Sequence, residues 1–179
     1  MLRCGRNLNE VGFIGFSSRK RNSLVGNLIC SAVYNGHLKL VDWFIQNDRN
    51  LNLEHQVQEK PRIAKGLLVK EFHKFTALML AVAIGNLGIC FKKYFNDFFL
   101  EIVKKLIESG NAKVNVHDSN KNSLLHIAVK YNAQNIVKYF LENPRDIKIF
   151  DRNHKVFLFY IIFALHSVNI IIIFREKQL

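Results

Sequence analysis

Residues 118–150 read DSNKNSLLHIAVKYNAQNIVKYFLENPRDIKIF, and Asp151 follows Asp118 at a distance of 33 positions. Ser123 stands directly before an apolar run, where its hydroxyl can cap the free N–H groups at the start of a helix. After a short polar turn, a single apolar stripe typical of a second helix is formed by Ile136, Val137, Phe140 and Leu141. The stretch therefore predicts two short helices joined by a turn and followed by a loop.

Two further parts of the chain repeat this pattern. Residues 32–53 read AVYNGHLKLVDWFIQNDRNLNL and contain the turn, the second helix and the following loop. Residues 76–86, TALMLAVAIGN, form a first helix, and residues 101–118, EIVKKLIESGNAKVNVHD, form a second helix and a hairpin. Removing the 13 residues 88–100 would join these two parts as GNLEIVKKLIESG, so we interpret 88–100 as an insertion into a repeat.

The period and the motifs resemble those of the ankyrin-repeat family. SLLHIA, residues 123–128, is similar to the family's T-P-L-H-x-A motif, with Ser for Thr and Leu for Pro. The middle copy keeps Thr76 but has Met79 in place of His, and NLICSA at 27–32 lacks the Thr, the Pro and the His. The resemblance covers residues 22–155, and we place the copies at 22–54, 71–117 and 118–150. It implies an all-α solenoid of stacked helix–turn–helix units with short hairpin loops, which needs about three or more units for stability.

Three segments depart from the repeat pattern. Residues 1–21 predict a basic, disordered lead-in, and residues 56–70 predict a flexible basic loop. Residues 88–109 instead predict one long amphipathic helix, because their aromatic side chains continue in phase into the stripe of the second helix. We favour packing of the aromatic side on the array. The alternatives are an aromatic hook for a partner and an insert from an unspliced or mis-spliced message.

The carboxyl-terminal segment supports two interpretations. Residues 156–174, VFLFYIIFALHSVNIIIIF, carry no charge and are close to the length of a membrane span. A shift of 34 residues nevertheless places Asn169 and Ile170 on Asn135 and Ile136. We therefore favour a degenerate terminal repeat for residues 156–179, and the alternative is a hydrophobic tail that forms a transmembrane helix.

Composition indicates the partners and the compartment. The net charge of +12 favours an acidic partner, although the basic residues are scattered and the longest basic run is 19–21. Nucleic-acid binding is for that reason only a third hypothesis. Cys4, Cys30 and Cys90 form no CxxC pair, which indicates reduced thiols used as small apolar side chains and a cytoplasmic or nuclear protein.

Catalytic motifs do not occur in the sequence. There is no phosphate-binding GxxxxGK run, no HExxH, no GxSxG and no dinucleotide-binding glycine pattern. His126 lies within SLLHIA, where we interpret it as a structural turn histidine. The sequence thus predicts a protein that is not an enzyme and needs no cofactor or metal.

The resemblance implies a non-catalytic scaffold or adaptor that binds another protein through its hairpin tips and the exposed side of its first helices. On this basis the candidate partner-binding residues are Tyr34, Asn35, Asp118, Asn120, Lys121, Lys130, Tyr131, Arg152 and Asn153. The alternative function is a membrane-associated ankyrin protein, or a fragment of one, anchored by residues 156–174.

Overall fold

A computed structural model of the protein describes residues 8–16, 22–48, 50–60, 72–85 and 95–143. The predictions for residues 1–7 and 17–21 of the lead-in, for residues 61–70 of the loop, for the first part of the inserted segment and for 156–179 lie outside these residues.

The described residues form six helices and three short strands. The strands are β1 (Gly12–Phe16), β2 (Ser23–Gly26) and β3 (Gln58–Lys60). The helices are α1 (Leu28–Tyr34), α2 (Leu38–Asn47), α3 (Ala77–Ile84), α4 (Phe95–Lys104), α5 (Leu124–Lys130) and α6 (Gln134–Glu142). Helix α4 continues directly into a π-helical turn, Lys105–Ser109. We refer to α1–α2, α3–α4 and α5–α6 as the first, second and third units.

The helix pairs predicted at 27–35 with 38–47 and at 123–131 with 134–142 are confirmed. In both units the turn between the helices requires a residue with positive φ, which is 68° at Gly36 and 54° at Asn132. Glycine and asparagine are the residues that adopt this conformation most readily. The same backbone turn is thus encoded by different residues in the two units.

Each first helix begins at a polar cap. The Oδ1 atom of Asn27 accepts a hydrogen bond from the amide of Cys30 at 3.2 Å, and Oγ1 of Thr76 accepts one from Met79 at 3.4 Å. The first copy lacks the Thr of the family motif, but Asn caps a helix as well as Thr does. Although the first copy matches the family motif poorly, its first helix is therefore capped as the others are.

The units stack through their first helices. Helix α3 lies between α1 and α5, and α4 lies between α2 and α6. All eight residues of α3 are buried, which explains why this helix is apolar on every side. The core of the described residues is therefore continuous from the first unit to the third.

A three-stranded antiparallel sheet in the order β1–β2–β3 lies at the amino-terminal side of this stack. The prediction of an all-α fold is wrong here, and so is the prediction of disorder for residues 12–16. Leu24 of β2 and Ile14 of β1 are buried, which anchors both strands to the core. The strands are only three to five residues long, too short for their alternation to stand out in the sequence.

The loop predicted at 56–70 is closed at its base. The amide of Val57 donates to the carbonyl of Phe75, and the amide of Lys74 donates to the carbonyl of Val57, both at 2.8 Å. Glu59 of β3 is buried and accepts hydrogen bonds from the side chain of Asn22 at 2.8 Å and from the amide of Phe72 at 2.9 Å. The flexible loop predicted at this place is therefore ordered at residues 58–60.

Helix α4 is continuous from residue 95, as predicted for that part of the long helix. Phe99 is buried and Phe98 is half-buried. A methyl group on Gly36 would lie 3.5 Å from the ring of Phe98 and 3.6 Å from that of Phe99. These two aromatic side chains therefore pack against the turn of the first unit, as the favoured interpretation of the insertion predicts.

The thiol of Cys30 is buried in α1, and desolvation raises its pKa to about 12. A thiol with such a pKa stays protonated at neutral pH and behaves as a small apolar side chain. This confirms the interpretation of Cys30, whereas Cys4 and Cys90 lie outside the described residues.

We expect Ala128→Asp to destabilise the protein by about 3 kcal/mol or more, because Ala128 has no exposed surface and the new carboxylate would be buried without a partner. Chemical denaturation followed by circular dichroism measures this change. The matched control is Lys130→Asp at the exposed end of the same helix, for which we expect a loss below about 1 kcal/mol. Equal stabilities of the two variants would contradict the packing of α5.

Candidate functional site

The hairpin tip at residues 118–122 is held by one carboxylate. Oδ1 of Asp118 accepts hydrogen bonds from the amides of Asn120 and Asn122, each at 2.8 Å. Oδ2 of Asp118 accepts a third hydrogen bond from the side chain of Asn122, also at 2.8 Å. The amide of Asp118 in turn donates to the carbonyl of Asn122 at 3.0 Å. The tip is thus fixed in one conformation by its own polar groups.

Asp118 was predicted to face a partner, and this part of the site prediction is wrong. Asp118 is 7% exposed, and its carboxylate accepts three hydrogen bonds from the tip. An Asp followed by Asn two and four residues later is a sequence signal for such a local turn. Asn120 and Lys121 are exposed at the same tip, as the prediction required.

A second tip carries a lysine in the same place, which the sequence reasoning missed. Lys74 stands two residues before the cap Thr76, as Lys121 stands two residues before the cap Ser123. Both lysines have φ of 63°, and both are exposed. A positive φ is uncommon for lysine, so the shared conformation indicates the same turn in both units. Lys74 follows a long loop, so its equivalence to Lys121 was not recognised from the sequence.

The two tyrosines predicted to line an open groove both contact other parts of the chain. The hydroxyl of Tyr34 donates to the carbonyl of Phe16 in β1, and the ring lies against Gly15. Tyr131 is 5% exposed and stacks on Phe72, with ring centroids 6.1 Å apart. The prediction that the Tyr131 ring faces a partner is therefore wrong, whereas Tyr34 is half-buried.

The remaining predicted residues divide into two groups. Asn35 and Lys130 are exposed at the ends of α1 and α5, as predicted. The ammonium of Lys130 lies 5.3 Å from the centroid of the Tyr131 ring, a distance suited to a cation–π contact. Arg152 and Asn153 lie outside the described residues.

His126 has the structural role that was predicted for it. Its Nδ1 atom lies 2.7 Å from Oγ of Ser123 and 3.3 Å from the Ser123 amide, which donates to it. The amide of His126 donates back to Oγ of Ser123 at 3.5 Å, completing a reciprocal cap of α5. This histidine therefore orders the helix start that follows the tip.

Metal binding and membrane spanning have no structural basis in the part of the chain that the structure describes. Among these residues no group of three or more His, Cys, Asp or Glu side chains is placed to hold a metal ion. None of the helices described has both the length and the apolar character of a membrane span.

We expect Asp118→Ala to destabilise the protein by about 2–3 kcal/mol, because three donors of the tip lose a buried charged acceptor. Asp118→Asn should cost less, since the amide oxygen can still accept from both backbone amides. Asn120→Ala, at an exposed position of the same tip, is the control and should change stability by less than about 0.5 kcal/mol. Denaturant titration would argue against the tip geometry if all three variants were equally stable.

Comparison with known proteins agrees with this architecture. The family model for ankyrin repeats, which comprises three copies, matches residues 21–151 and matches again at residues 94–174. The second match includes the uncharged segment at 156–174. A stretch of 61 residues is 43% identical to FPV230, a fowlpox virus (strain NVSL) protein named as an ankyrin repeat protein.

That alignment covers 34% of this chain and 32% of the viral protein, so the chain matches about a third of the length of this curated relative. The family model, in contrast, matches well over half of the chain. Together with the stacked helix pairs, this match shows that the chain belongs to the ankyrin-repeat family.

Proposed function

We propose that this protein is a non-catalytic scaffold or adaptor that binds an acidic protein through its hairpin tips. Ankyrin repeats are generally protein–protein interaction modules and are typically not catalytic. The observation that carries the proposal is the pair of exposed lysines, Lys74 and Lys121, at equivalent places on successive tips. Fold alone does not define a partner, so the argument depends on these side chains.

The two lysines belong to neighbouring units. Each precedes a first helix by the same number of residues, and these helices, α3 and α5, pack side by side. Packed helices lie about 8–10 Å apart. A partner that spans two tips would therefore meet two ammonium groups in a row.

The backbone at both tips is fixed before binding. The amide of Lys74 donates to Val57 at 2.8 Å, and that of Lys121 donates to the carbonyl of Asp118 at 3.0 Å. Groups held in place before binding lose less conformational entropy when a partner docks. The tips therefore present their lysines on a backbone that needs no further ordering when a partner docks.

The charge of the whole chain supports the same class of partner. A net charge of +12 attracts acidic surfaces and accelerates their association. We also infer a reducing compartment, the cytoplasm or nucleus, from the unpaired Cys30 thiol.

For residues 156–174 we propose a further, degenerate ankyrin unit in preference to a membrane anchor. The second family match supports this proposal because it runs through residue 174. His166, Ser167 and Asn169 also make membrane insertion of this segment less favourable.

A photo-crosslinking amino acid at Asn120 of the full chain should capture the partner, and mass spectrometry should identify a protein with an acidic surface. The same amino acid at Ser109, which is exposed at the end of the π-helical turn, is the positional control. Capture of the same protein with equal yield from both positions would contradict binding at the tips.

The affinity of the captured partner then tests the lysines. We expect Lys121→Glu to weaken binding about tenfold, which corresponds to about 1.4 kcal/mol. Lys138→Glu makes the same change of charge on the exposed side of α6 in the same unit and should leave the affinity within about twofold. If calorimetry gave equal losses for both variants, net charge and not the tip would govern binding.

A further inference from the structure

The turn between α1 and α2 contains the dipeptide Asn35–Gly36, and no other asparagine of the sequence precedes a glycine. Because glycine has no Cβ, its peptide nitrogen is more open to attack chemistry than that of any other residue. Asn35 is exposed at the end of α1, so water reaches its side chain. An asparagine in this setting can lose its side-chain amide without an enzyme.

The reaction uses only these two residues and water. The peptide nitrogen of Gly36 loses its proton and attacks Cγ of Asn35, which closes a five-membered imide through a new N–Cγ bond. The bond between Cγ and Nδ2 then breaks, and the side-chain nitrogen leaves as ammonia. Water opens the imide at either carbonyl, which gives aspartate or isoaspartate. The net change is an amide exchanged for a carboxylate, with water consumed, ammonia released and nothing oxidised or reduced.

The folded turn keeps the two reacting groups apart. The amide of Gly36 donates to the carbonyl of Val33 at 3.0 Å, and Nδ2 of Asn35 donates to the carbonyl of Ser31 at 2.9 Å. Ring closure needs the Gly36 nitrogen on the same side of the Cα–C bond as Cβ of Asn35. At the ψ of 3° found at Asn35, that nitrogen instead eclipses the residue's own amide nitrogen. The reaction therefore requires the turn to open.

We propose that Asn35 is a modification site, at which the side-chain amide is lost when the first unit opens and is retained while the turn is closed. Units of a repeat array can open locally while their neighbours stay folded, because each unit contacts only the next one along the stack. The product is permanent, so its amount records how often the first unit has opened. This proposal does not depend on the partner proposed for the tips.

The products do not restore the same turn. A carboxylate at residue 35 cannot donate to the carbonyl of Ser31, and it places a negative charge beside the free carbonyl groups at the end of α1. Isoaspartate also adds a carbon to the main chain directly before Gly36, whose φ of 68° forms the turn. Phe98 and Phe99 of α4 pack against this turn. We therefore expect the modified first unit to be held less tightly against the second.

Peptide mass spectrometry of the full chain, aged in mildly alkaline buffer, measures the loss of the amide at Asn35. We expect this loss to be about tenfold or more slower in the folded chain than in the chain kept in denaturant, because the closed turn protects the site. Asn132, which precedes Ala133, is the internal control. In denaturant it should lose its amide much more slowly than Asn35, because the Cβ of alanine hinders the attack.

A matched pair of variants tests whether opening of the first unit is enough. Val41 in α2 and Val137 in α6 are both buried, and each is the fourth residue of its helix. Val41→Ala weakens the first unit and should speed the loss at Asn35 about fivefold or more. Val137→Ala makes the same change in the third unit and should leave the rate within about twofold of the unchanged chain.

Equal rates of amide loss in the folded chain and in denaturant would overturn the proposal, because the closed turn would then give no protection. Equal effects of Val41→Ala and Val137→Ala would also overturn it, since the reaction would not follow opening of the first unit. An Asn35 that keeps its amide in denaturant would contradict the chemistry itself.

Discussion

The structure depends on the burial of helix α3. This helix, Ala77–Ile84, has no polar side chain, so it can exist in water only if neighbours cover it on every side. Helices α1 and α5 pack along it, and α4 completes its own unit. Burial of an apolar side chain contributes roughly 1.5–3 kcal/mol, and no single helix pair could supply the surface that α3 requires. The presence of a unit on each side of α3 follows from this constraint.

Short-range polar contacts set the geometry in which that burial occurs. Caps at Asn27, Thr76 and Ser123 start the three first helices. The carboxylate of Asp118 shapes the tip before α5, and positive φ at Lys74 and Lys121 gives both tips the same backbone turn. The residues of the proposed binding surface are thus fixed by contacts that also direct the fold. The candidate site and the helix starts of the solenoid therefore depend on the same short segments of the chain.

The helices were predictable from the sequence because their signals are local. A capping residue and a 3.6-residue apolar stripe can be read within one unit, and the 33-residue period can be read from one unit to the next. The packing of Phe98 and Phe99 was also predictable, since both continue the stripe of α4. The contacts of Tyr34 with Phe16 and of Tyr131 with Phe72 were not, because these partners are distant in the sequence.

The sheet and the Asp118 side chain show two other limits. Strand β1 is formed by pairing with β2. Its five residues show little alternation of apolar and polar side chains, so the sequence did not predict this pairing. Asp118 is polar and lies at a tip, which favours exposure, yet its carboxylate is buried by the turn that it organises. In both cases the structure of the residue is set by an interaction that forms only in the folded protein, and the residue type alone does not predict it.

Hydrogen exchange of the full chain, measured by mass spectrometry, tests most directly whether α3 is the centre of one cooperative stack. The account predicts that the amides of Ala77–Ile84 exchange most slowly, through global unfolding, while α2 and α6, in the units on either side of α3, exchange earlier by local opening. Exchange of α3 as fast as that of α2 or α6 would contradict the central claim, because the helix would then not depend on burial by both neighbours.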